Sequence, residues 1–421
     1  MDLIFAEATP PGRGGVSVIR ISGDGARSAT ELLAGRLPAP RHAYLRNIRD
    51  DDEILDRALV IWFEAGHSFT GEEVAEIHLH GAPVIVRQLG QILSRQGLRM
   101  AEAGEFTRRA FLNGKMDLSE VEGLGDLLAA ETESQRRMAL RTSNGELSRK
   151  ADDWRSLLIR AGALVESSVD FADEDVPDDV PAEVFDLLAR FRQELDEQIC
   201  GFSAAERIRN GFEVAVIGPP NAGKSSLINR IARREVALVS DIAGTTRDII
   251  ELRLDLRGLA VTFLDTAGLR DAQDKIEGLG IDRARGRAAA ADLRVHLSLD
   301  GKIDGSLWQS GDLRVISKAD LGEPQDGLAV SAVTGQGLDL LLDQVFDVLS
   351  RQAAGAALVS HQRQVNALIE ARAVMDQIDG LPPELLAETI RCSAQSLDRL
   401  LGRIGAEDYL DVIFTSFCIG K

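Results

Sequence analysis

The sequence predicts a multidomain protein in which an α/β P-loop domain is inserted into an all-α helical domain that follows an N-terminal α+β domain. Short β-like runs and turns alternate over residues 1–115, which predicts the α+β domain. Apolar residues recur at helical spacing over 116–209 and again over 351–421. A strand, a glycine-rich loop and a helix open the intervening segment, 210–350. Because the helical pattern resumes beyond that segment, the P-loop domain is predicted to be an insertion.

Composition narrows the class of protein. The 421 residues carry 48 Lys and Arg against 67 Asp and Glu, a formal net charge of −19. Nucleic-acid binding by general electrostatics is therefore not expected, although a local basic patch stays open, because neutralising phosphates requires basic surface. Cys200, Cys392 and Cys418 are far apart, so neither a disulfide framework nor a zinc site is predicted. The sequence starts without a basic leader and contains no apolar run of membrane-spanning length, which predicts a cytoplasmic protein.

Three runs in the N-terminal domain have the composition of strands, at residues 16–21, 58–63 and 74–80. Apolar residues at helical spacing follow over 83–98. His78 and His80 lie on one face of the third run, as metal ligands do, but no further His or Cys stands nearby. They are therefore interpreted as ordinary strand residues.

The helical domain is predicted from apolar stripes on both sides of the insertion. The acidic stretch 170–181, interrupted by Pro177, is predicted to be an exposed connection. The stripes before the insertion are Val121, Leu124, Leu127 and Leu128; Trp154, Leu157, Leu158, Ala161, Leu164 and Val165; and Val184, Leu187, Leu188, Phe191 and Leu195. Those after it lie over 365–378, 385–401 and 409–417.

The stretch 218–225 has the spacing G-x-x-x-x-G-K-S, after the apolar run 212–217 and before a helix-like segment. Glycines there let backbone N–H groups wrap a phosphate at the positive end of a helix. Lys224 is predicted to reach the outer phosphates and the Ser225 hydroxyl to take Mg²⁺. A glycine-rich turn without a ligand is the alternative, and the strand-loop-helix context strongly disfavours it. The stretch is predicted to be a nucleotide site.

Further motifs follow in the order found in GTPases. A loop at 241–248 precedes a predicted hairpin over 251–264. Asp265, at the end of that hairpin, is predicted to support the Mg²⁺ shell, and the Gly268 N–H to meet the γ-phosphate. Each motif alone is as often an ordinary loop, but chance does not place the whole set in order after a P-loop.

The base is predicted to be guanine, from S-K-A-D at 317–320 and Ser331-Ala332 after a later strand. Asp320 can accept hydrogen bonds from guanine N1–H and N2–H₂ but would repel the acceptor edge of adenine. The motif is usually N-K-x-D, and Ser317 stands where the Asn side chain usually ties loops together. Guanine preference is therefore predicted to rest on Asp320.

The residue after the Asp265-Thr266-Ala267-Gly268 motif is Leu269, which cannot orient a water as a Gln there would. The charge that develops on the phosphates therefore needs another stabiliser. Asn221 and the carbonyl-rich loop 240–246 are predicted to ligate a monovalent cation beside the phosphates.

Taken together, these residues resemble one family, the MnmE (TrmE) tRNA-modifying GTPases, over essentially the whole chain. The most specific parts are ATPPGRGG at 8–15, GEFTRRAFLNGK at 104–115, GTTRD at 244–248 and CIGK at 418–421. The resemblance implies a folate-binding N-terminal domain that dimerises, a helical domain in two parts, and a Ras-like G domain inserted into the latter. Those implied parts have the boundaries 1–115, 116–209, 210–350 and 351–421.

The resemblance also implies how GTP and its ions are held. Potassium would lie on Asn221, Ser240, Ile242 and Thr245, and Mg²⁺ on Ser225 and Thr246. Lys224 would be catalytic, and Glu277 matches the family's water-positioning Glu, although alone it would be interpreted as a solvated carboxylate. Hydrolysis would be promoted when two G domains meet. The implied GTP-binding positions are Asn221, Ala222, Gly223, Lys224, Ser225, Ser226, Ser240, Asp241, Ile242, Ala243, Gly244, Thr245, Thr246, Asp265, Thr266, Ala267, Gly268, Ser317, Lys318, Asp320, Ser331 and Ala332.

A reduced folate, 5-formyl- or 5,10-methylene-tetrahydrofolate, would bind where Arg20, Glu76, Lys115 and the terminal Lys421 match family positions. A carboxylate can pair with the amidine-like edge of the pterin, and cations can pair with its glutamate tail. Without the resemblance, Glu76 would be interpreted as solvent-facing. Cys418 is a poor prenylation position because the chain ends in Lys. A catalytic thiol role near the one-carbon unit and a buried apolar role both stay open for it.

The resemblance thus implies a GTP-hydrolysing, homodimeric subunit of a tRNA-modifying complex. Its partner would be MnmG, which uses FAD and NADH, in a heterotetramer-type complex. Together they would add an aminomethyl or carboxymethylaminomethyl group at carbon 5 of the wobble uridine, with the one-carbon unit drawn from tetrahydrofolate. A regulatory or ribosome-assembly GTPase without folate chemistry is the alternative, and residues 1–115 and the terminal tail distinguish the two.

Overall fold

The computed structural model describes residues 2–170, 180–235, 251–265, 285–303, 305–322, 327–378 and 380–404 and, near the C terminus, 410, 413–415, 417 and 420. The chain divides into two compact units. One contains Met1–Gly125, Ser148–Arg155 and Ala394–Lys421, and the other contains Asp126–Leu147 and Ser156–Ser393. The strands are β1 (Ile4–Glu7), β2 (Ser17–Ser22), β3 (Tyr44–Asp50), β4 (Glu53–Phe63), β5 (Val74–Leu79), β6 (Arg99–Met100), β7 (Phe212–Ile217), β8 (Glu251–Leu256), β9 (Leu259–Asp265), β10 (Leu293–Ser298), β11 (Leu313–Ser317) and β12 (Leu328–Val330). The helices are α1 (Ala26–Ala34), α2 (Pro83–Arg95), α3 (Glu105–Leu112), α4 (Leu118–Ala129), α5 (Glu133–Ser143), α6 (Glu146–Asp170), α7 (Ala182–Asn210), α8 (Lys224–Ala232), α9 (Leu338–Ala353), α10 (Gln362–Val374) and α11 (Pro383–Leu400).

The first unit is built on a six-stranded sheet in the order β3-β4-β5-β2-β1-β6. Neighbouring strands are antiparallel except β1 and β6, which are parallel. Every second side chain of a strand points to the same face, so Ile19 and Ile21 of β2 and Val60 and Trp62 of β4 are buried together with α1 and α2. The three strands and the helix predicted in this region are confirmed as β2, β4, β5 and α2. The short strands β1 and β6, the edge strand β3 and the helices α1 and α3 were not predicted.

The last residues of the chain pack in the same unit as the first. Gly104 precedes α3 at φ +67, and a Cβ there would lie 2.5 Å from the Phe414 carbonyl oxygen. Only glycine combines that left-handed backbone with so close an approach. Phe414 and Phe417 are buried against Leu118 and Val121 of α4. The C-terminal segment therefore completes part of the core of this unit.

Arg109 of α3 ties three segments of the unit together, and its side chain is only 4% exposed. Its guanidinium donates to Asp2 Oδ1 at 2.7 Å, to Glu72 Oε2 at 3.0 Å and to Glu105 Oε1 at 3.0 Å. Arg99 donates to Asp2 and Glu105 as well. Hydrogen bonds from Arg99 are the main cause of the lowered pKa of Asp2. Burial alone raises the pKa of Glu105, but the bonds from both arginines outweigh it and leave that pKa low.

Long helices form the helical part of the second unit and continue the predicted stripes. Residues of those stripes on α6 and α7 are buried, among them Leu158 and Phe191. Leu128, in the last turn of α4, belongs to the first predicted stripe but is 49% exposed, so that stripe is not covered along its whole length. Helical spacing predicts where a stripe runs but not how far along the helix it is covered. Residues 171–179 of the acidic connection lie outside the described residues, as do 409, 411, 412 and 416 of the segment 409–417.

The P-loop domain leaves and rejoins the helical part at neighbouring points. The Ala357 N–H donates to the carbonyl of Gly201 in α7 at 3.2 Å, and a Cβ on Gly201 would lie 2.6 Å from the Gly355 carbonyl oxygen. Arg209, at the end of α7, donates through Nε to the Ser360 carbonyl at 3.0 Å. An inserted domain requires its two ends to lie close together, and these contacts satisfy that requirement.

The P-loop domain is a doubly wound sheet in the order β12-β11-β10-β7-β9-β8. All neighbours are parallel except β8 and β9, which form the predicted hairpin. Val216 of β7 and Val295 of β10 are buried on the face covered by α8 and α9. Ala215 and Ile217 are buried on the opposite face. The central strands are thus apolar on both faces, as in parallel sheets generally.

Removing the charge of Arg109 tests the network around it. We expect Arg109→Ala to lower the free energy of unfolding by about 3–5 kcal/mol, because the largely buried Glu72 would lose its counter-charge and Glu105 would keep only Arg99. Denaturant unfolding of the full chain measures this loss. Arg108→Ala, which changes the exposed neighbour on α3, is the matched control.

The same network sets the behaviour in acid. Because the pKa values of Asp2 and Glu105 are lowered in the folded chain, their contribution is present above their ordinary pKa of about 4 and is lost as the pH falls through the folded values. We expect the stability of Arg109→Ala to depend less on pH below about 4 than that of the wild type. An identical slope would show that Arg109 does not set these pKa values.

Candidate functional site

The candidate nucleotide site lies where the carboxyl ends of the parallel strands meet. β7 has β9 on one side and β10 on the other, so the strand order reverses at β7. Open α/β sheets bind ligands at such a switch point. The P-loop follows β7, Asp265 ends β9 and Ser317 ends β11. Motifs that are far apart in the sequence therefore gather at one edge of the sheet.

The P-loop backbone forms an open cradle. A Cβ on Gly218 would overlap the Leu297 carbonyl oxygen, so the loop can leave β7 in this direction only with glycine at that position. Asn221 and Gly223 have left-handed backbone, with φ +61 and φ +95. Around Gly223 a Cβ would meet nothing within 4 Å, which leaves room in front of the first N–H groups of α8. This shape fits a phosphate at a helix N-terminus.

Lys224, the first residue of α8, is 5% exposed. Its ammonium donates to the carbonyl oxygens of Gly218 at 2.9 Å and Pro219 at 3.0 Å, so it folds back over the loop. Ser225 is half-buried in the first turn, and Asp265 is buried at the end of β9. A serine hydroxyl and an aspartate carboxylate at the P-loop fit Mg²⁺, which prefers oxygen ligands. Asn221 is exposed, and its amide oxygen fits a monovalent cation.

The predicted guanine-binding residues come together after β11 and β12. Lys318 has left-handed backbone, φ +57, and begins a turn closed by the Leu321 N–H on its carbonyl at 2.9 Å. The hydroxyl of Ser331 donates to Asp320 Oδ1 at 2.5 Å and accepts from the Thr334 N–H at 3.1 Å. Asp320 is exposed, with one carboxylate oxygen held by Ser331. This arrangement fixes the carboxylate that is predicted to read guanine.

Ser317 makes a different link from the Asn it replaces in the usual motif. It is buried, and its hydroxyl donates to the Ser298 carbonyl at 3.3 Å. That bond ties the base-binding turn after β11 to the end of β10. The turn is therefore still tied to a neighbouring loop, but by a shorter side chain than Asn. The Ser317 hydroxyl is already used in this bond within the protein.

A second group of predicted residues lies in the first unit. Arg20 of β2 and Glu76 of β5 face each other in register, and Arg20 Nε donates to Glu76 Oε1 at 3.0 Å. Arg20 Nη1 donates to the Gly420 carbonyl at 3.2 Å, so the terminal tail reaches this pair. The rings of Phe69 and Phe106 each lie with their centroid 5.7 Å from the Arg20 guanidinium carbon. Glu76 is half-buried and ion-paired, not solvent-facing.

Lys115 lies on a neighbouring loop, where its ammonium donates to the Gly66 carbonyl at 2.8 Å. His78 Nε2 lies 3.3 Å from Glu76 Oε2, and His80 Nδ1 lies 2.7 Å from Asp56 Oδ1. Burial raises the pKa of Asp56, but hydrogen bonds from His80 outweigh it and lower that pKa. The part of the chain that the structure describes holds no cluster of His, Cys, Asp and Glu able to bind a metal ion. His78 lies on β5 and His80 one residue beyond it, and each contacts a carboxylate.

Several predicted positions lie outside the described residues. They are Glu277, Cys418, Lys421, the loop positions Ser240, Asp241, Ile242, Ala243, Gly244, Thr245 and Thr246, and Thr266, Ala267 and Gly268.

Sequence reasoning missed the supporting residues of both sites. Phe69 and Phe106 flank Arg20, and Ser298 receives the bond from Ser317, but none of these was singled out. Phe106 stands within the family-specific stretch 104–115, which is the one signal that pointed to it. The other two become neighbours of the site only through long-range pairing of strands and loops.

Comparison with known proteins decides the family. The N-terminal domain family of GTP-binding protein TrmE matches residues 3–115, and the MnmE helical domain family matches residues 118–418. The chain is 61% identical to the tRNA modification GTPase MnmE of Paracoccus denitrificans, over 100% of both chains. The chain belongs to the MnmE family of tRNA modification GTPases.

A second relative, the tRNA modification GTPase MnmE of Dinoroseobacter shibae, is 50% identical over 100% of both chains. Among solved structures, the G domain of the T. maritima FeoB iron transporter is 21% identical and covers 32% of this chain and 98% of that chain, with a TM-score of 0.26. The predictions of the MnmE family, of the multidomain fold with an inserted P-loop domain and of a GTPase are confirmed. No helix among the described residues is long and apolar enough to cross a membrane.

Changing Asp320 tests its part in base recognition. We expect Asp320→Asn to lower GTP affinity about 100-fold or more, because two hydrogen bonds to a charged acceptor are weakened. The affinity for xanthosine triphosphate should fall less, because its 2-oxo group can accept a hydrogen bond from the amide of the introduced Asn. Titration of the full chain with labelled nucleotides measures both, with Asp347→Asn on the exposed face of α9 as control. Equal losses for the two nucleotides would contradict the assignment of Asp320.

Proposed function

We propose that this chain is the GTP-hydrolysing subunit of a complex that modifies carbon 5 of the wobble uridine in tRNA with a one-carbon unit from a reduced folate. The partner would be the FAD- and NADH-using MnmG, and the product an aminomethyl- or carboxymethylaminomethyl-uridine. The chain would act in the cytoplasm as a homodimer, associated through the N-terminal domain 1–115. The observation that carries the folate part is the Arg20–Glu76 ion pair with the Gly420 carbonyl on Arg20.

The Arg20–Glu76 pair has the chemistry that a pterin requires. Glu76 is a carboxylate held largely out of water, and a carboxylate in that position can accept two hydrogen bonds from the amidine-like edge of the pterin. The partly exposed Phe69 ring beside Arg20 supplies an apolar wall for a flat heterocycle. Lys115 supplies a cation for the glutamate tail, and Lys421, at the end of the tail that reaches Arg20, would supply another.

In the nucleotide site, the residues of this chain divide the work on GTP. The P-loop N–H groups and Lys224 would bind the phosphates, and Asp320 would read guanine. Ser225 and Thr246, with Asp265 behind them, would hold Mg²⁺, which neutralises phosphate charge when bound. Asn221, Ser240, Ile242 and Thr245 would hold potassium, and Glu277 would position water. Closure of two G domains would gate the modification chemistry through the helical domain.

A role for Cys418 as a catalytic thiol near the folate is part of the proposal. Alkylation of the full chain with and without bound 5-formyl-tetrahydrofolate tests it. Unchanged modification activity in Cys418→Ser would remove the thiol from the mechanism.

GTP turnover in potassium and in sodium tests the ion site. We expect turnover to be at least about tenfold faster in potassium, because the cation offsets charge that develops in the transition state. The difference should disappear in Asn221→Ala and in Asn221→Gly. The glycine variant keeps the left-handed backbone at φ +61, so it removes the amide without strain.

Equal turnover of the wild type in both salts would remove the potassium proposal.

The same assay examines Glu277→Ala, for which slower turnover with unchanged GTP binding is expected. Unchanged turnover in that variant would exclude the water-positioning role.

Titration with 5-formyl-tetrahydrofolate tests the N-terminal site. We expect Glu76→Gln to weaken binding to the full chain about 10- to 100-fold, since a charged acceptor of two hydrogen bonds is lost. Glu53→Gln, at the exposed start of β4, is the control. If the wild type does not bind the folate, the tRNA-modification proposal loses its one-carbon source and the regulatory GTPase becomes the better reading.

A further inference from the structure

Besides Arg109, which binds Glu72, three cations of the first unit contact one short loop, residues 64–72. Arg20 lies beside the Phe69 ring, and Lys115 donates to the Gly66 carbonyl. Arg41, which no motif singled out, donates through Nη2 to the His67 carbonyl at 3.0 Å. Arg20, Lys115 and Arg41 are therefore all held against this loop, two of them by the carbonyls of adjacent residues.

Hydrogen bonds hold the loop 64–72 in place. Its ends are joined by the Gly66 N–H on the Gly71 carbonyl at 2.8 Å, and Ser68 donates to the Glu72 carbonyl at 2.5 Å. Asn113 donates from its side chain to the Thr70 carbonyl at 2.8 Å. Positions on such a loop are fixed before any ligand arrives, which lowers the entropic cost of binding.

Arg41 and Lys115 bond to carbonyls of adjacent residues, His67 and Gly66, whose Cα atoms lie about 3.8 Å apart. With hydrogen bonds of 3.0 and 2.8 Å, the two charges are separated by roughly 11 Å at most. A γ-linked glutamate has two more chain bonds than a peptide residue, so its carboxylates repeat at about 6 Å. The spacing therefore suits carboxylates one or two units apart on a γ-glutamyl chain.

The surroundings of Arg41 are basic in a chain that is acidic as a whole. Between Glu31 and Asp50 the sequence contains Arg36, Arg41, His42, Arg46 and Arg49 and no acidic residue. Arg46 lies over the Tyr44 ring at 4.9 Å and donates to the Arg36 carbonyl at 3.4 Å. Of the carboxylates in the loop, Glu72 is bound by Arg109, and Glu64 lies exposed at its start.

The backbone of Arg41 is itself unusual. Five residues other than glycine have positive φ among the described residues: Arg41, Asp51, Asn221, Arg257 and Lys318. Asp51 and Arg257 sit in hairpin turns, and Asn221 and Lys318 belong to the nucleotide site. Arg41, at φ +59, keeps a long charged side chain where glycine or asparagine is the usual residue. Such outliers concentrate at ligand sites.

We propose that Arg41, held beside Lys115 by the loop 64–72, extends the folate site into a cationic track for the γ-linked polyglutamate tail of a reduced folate. The inference rests on the proposed folate site and adds to it the form of the ligand. Lys115 binds the first glutamate, and Arg41 binds a later carboxylate of the tail. The chain consequently binds polyglutamated folate more tightly than the monoglutamate.

The test is a titration of the full chain with the monoglutamate and the triglutamate of 5-formyl-tetrahydrofolate. We expect the wild type to bind the triglutamate about fivefold more tightly, as one added exposed ion pair provides. Arg41→Asn should lower the affinity for the triglutamate to that for the monoglutamate and leave the monoglutamate affinity unchanged. Asparagine tolerates the left-handed backbone, so loss of the charge is separated from strain. Arg41→Lys should retain part of the ratio, and Arg87→Gln, an exposed arginine on α2, should retain all of it.

The outcomes separate this inference from the proposed function. If neither folate binds, the folate site itself fails. If the wild type binds both forms equally, or if Arg41→Asn weakens the monoglutamate as much as the triglutamate, the track is overturned while the folate site stands. Loss of tRNA affinity in Arg41→Asn with an unchanged folate ratio would assign the arginine to nucleic acid and overturn the track as well.

Discussion

In the first unit, the bond from Arg20 to the Gly420 carbonyl joins residues from opposite ends of the chain, and the proposed folate site depends on it. Arg20 is already fixed by Glu76 on the neighbouring strand, so the tail is bound to a preorganised partner. Gly104 allows the Phe414 backbone to approach, and buried Phe414 and Phe417 hold the segment before the tail. Loss of any of these features would release the tail and expose one wall of the proposed folate pocket.

Close approach between backbone segments also shapes the nucleotide site. The P-loop passes so close to the Leu297 carbonyl that only glycine fits at 218, and α9 starts at Gly337, where a Cβ would overlap the Ala329 carbonyl. The first contact brings the ends of β7 and β10 together at the switch point, and the second sets the start of α9 against β12. The phosphate-binding and guanine-binding residues therefore owe their alignment to the sheet, and their side chains complete a geometry that the backbone already sets.

The sequence predicted what depends on neighbours in the chain. The P-loop, Asp320 and the hairpin of β8 and β9 are local patterns with their own chemistry, and all three occur where expected. The Ser317–Ser298 bond, the rings beside Arg20 and the approach of Arg41 to the loop 64–72 depend on which strands and loops become neighbours in space. A short hydroxyl in place of Asn gives no sign of its new acceptor. Leu128 shows the same limit, because periodicity does not reveal where coverage of a helix ends.

The charge of the chain is consistent with the way cations are used in both sites. At a net −19, long-range attraction does not favour an anionic ligand, so each anion has to be met by cations fixed close to it. Lys224 is held over the P-loop by two carbonyls, and Lys115 and Arg41 are each held by one on a closed loop. Backbone carbonyls thus hold each of these cations in place. Short-range binding of this kind would favour small, multiply charged ligands over an extended polyanion, which is consistent with the proposal that a partner subunit supplies much of the contact with tRNA.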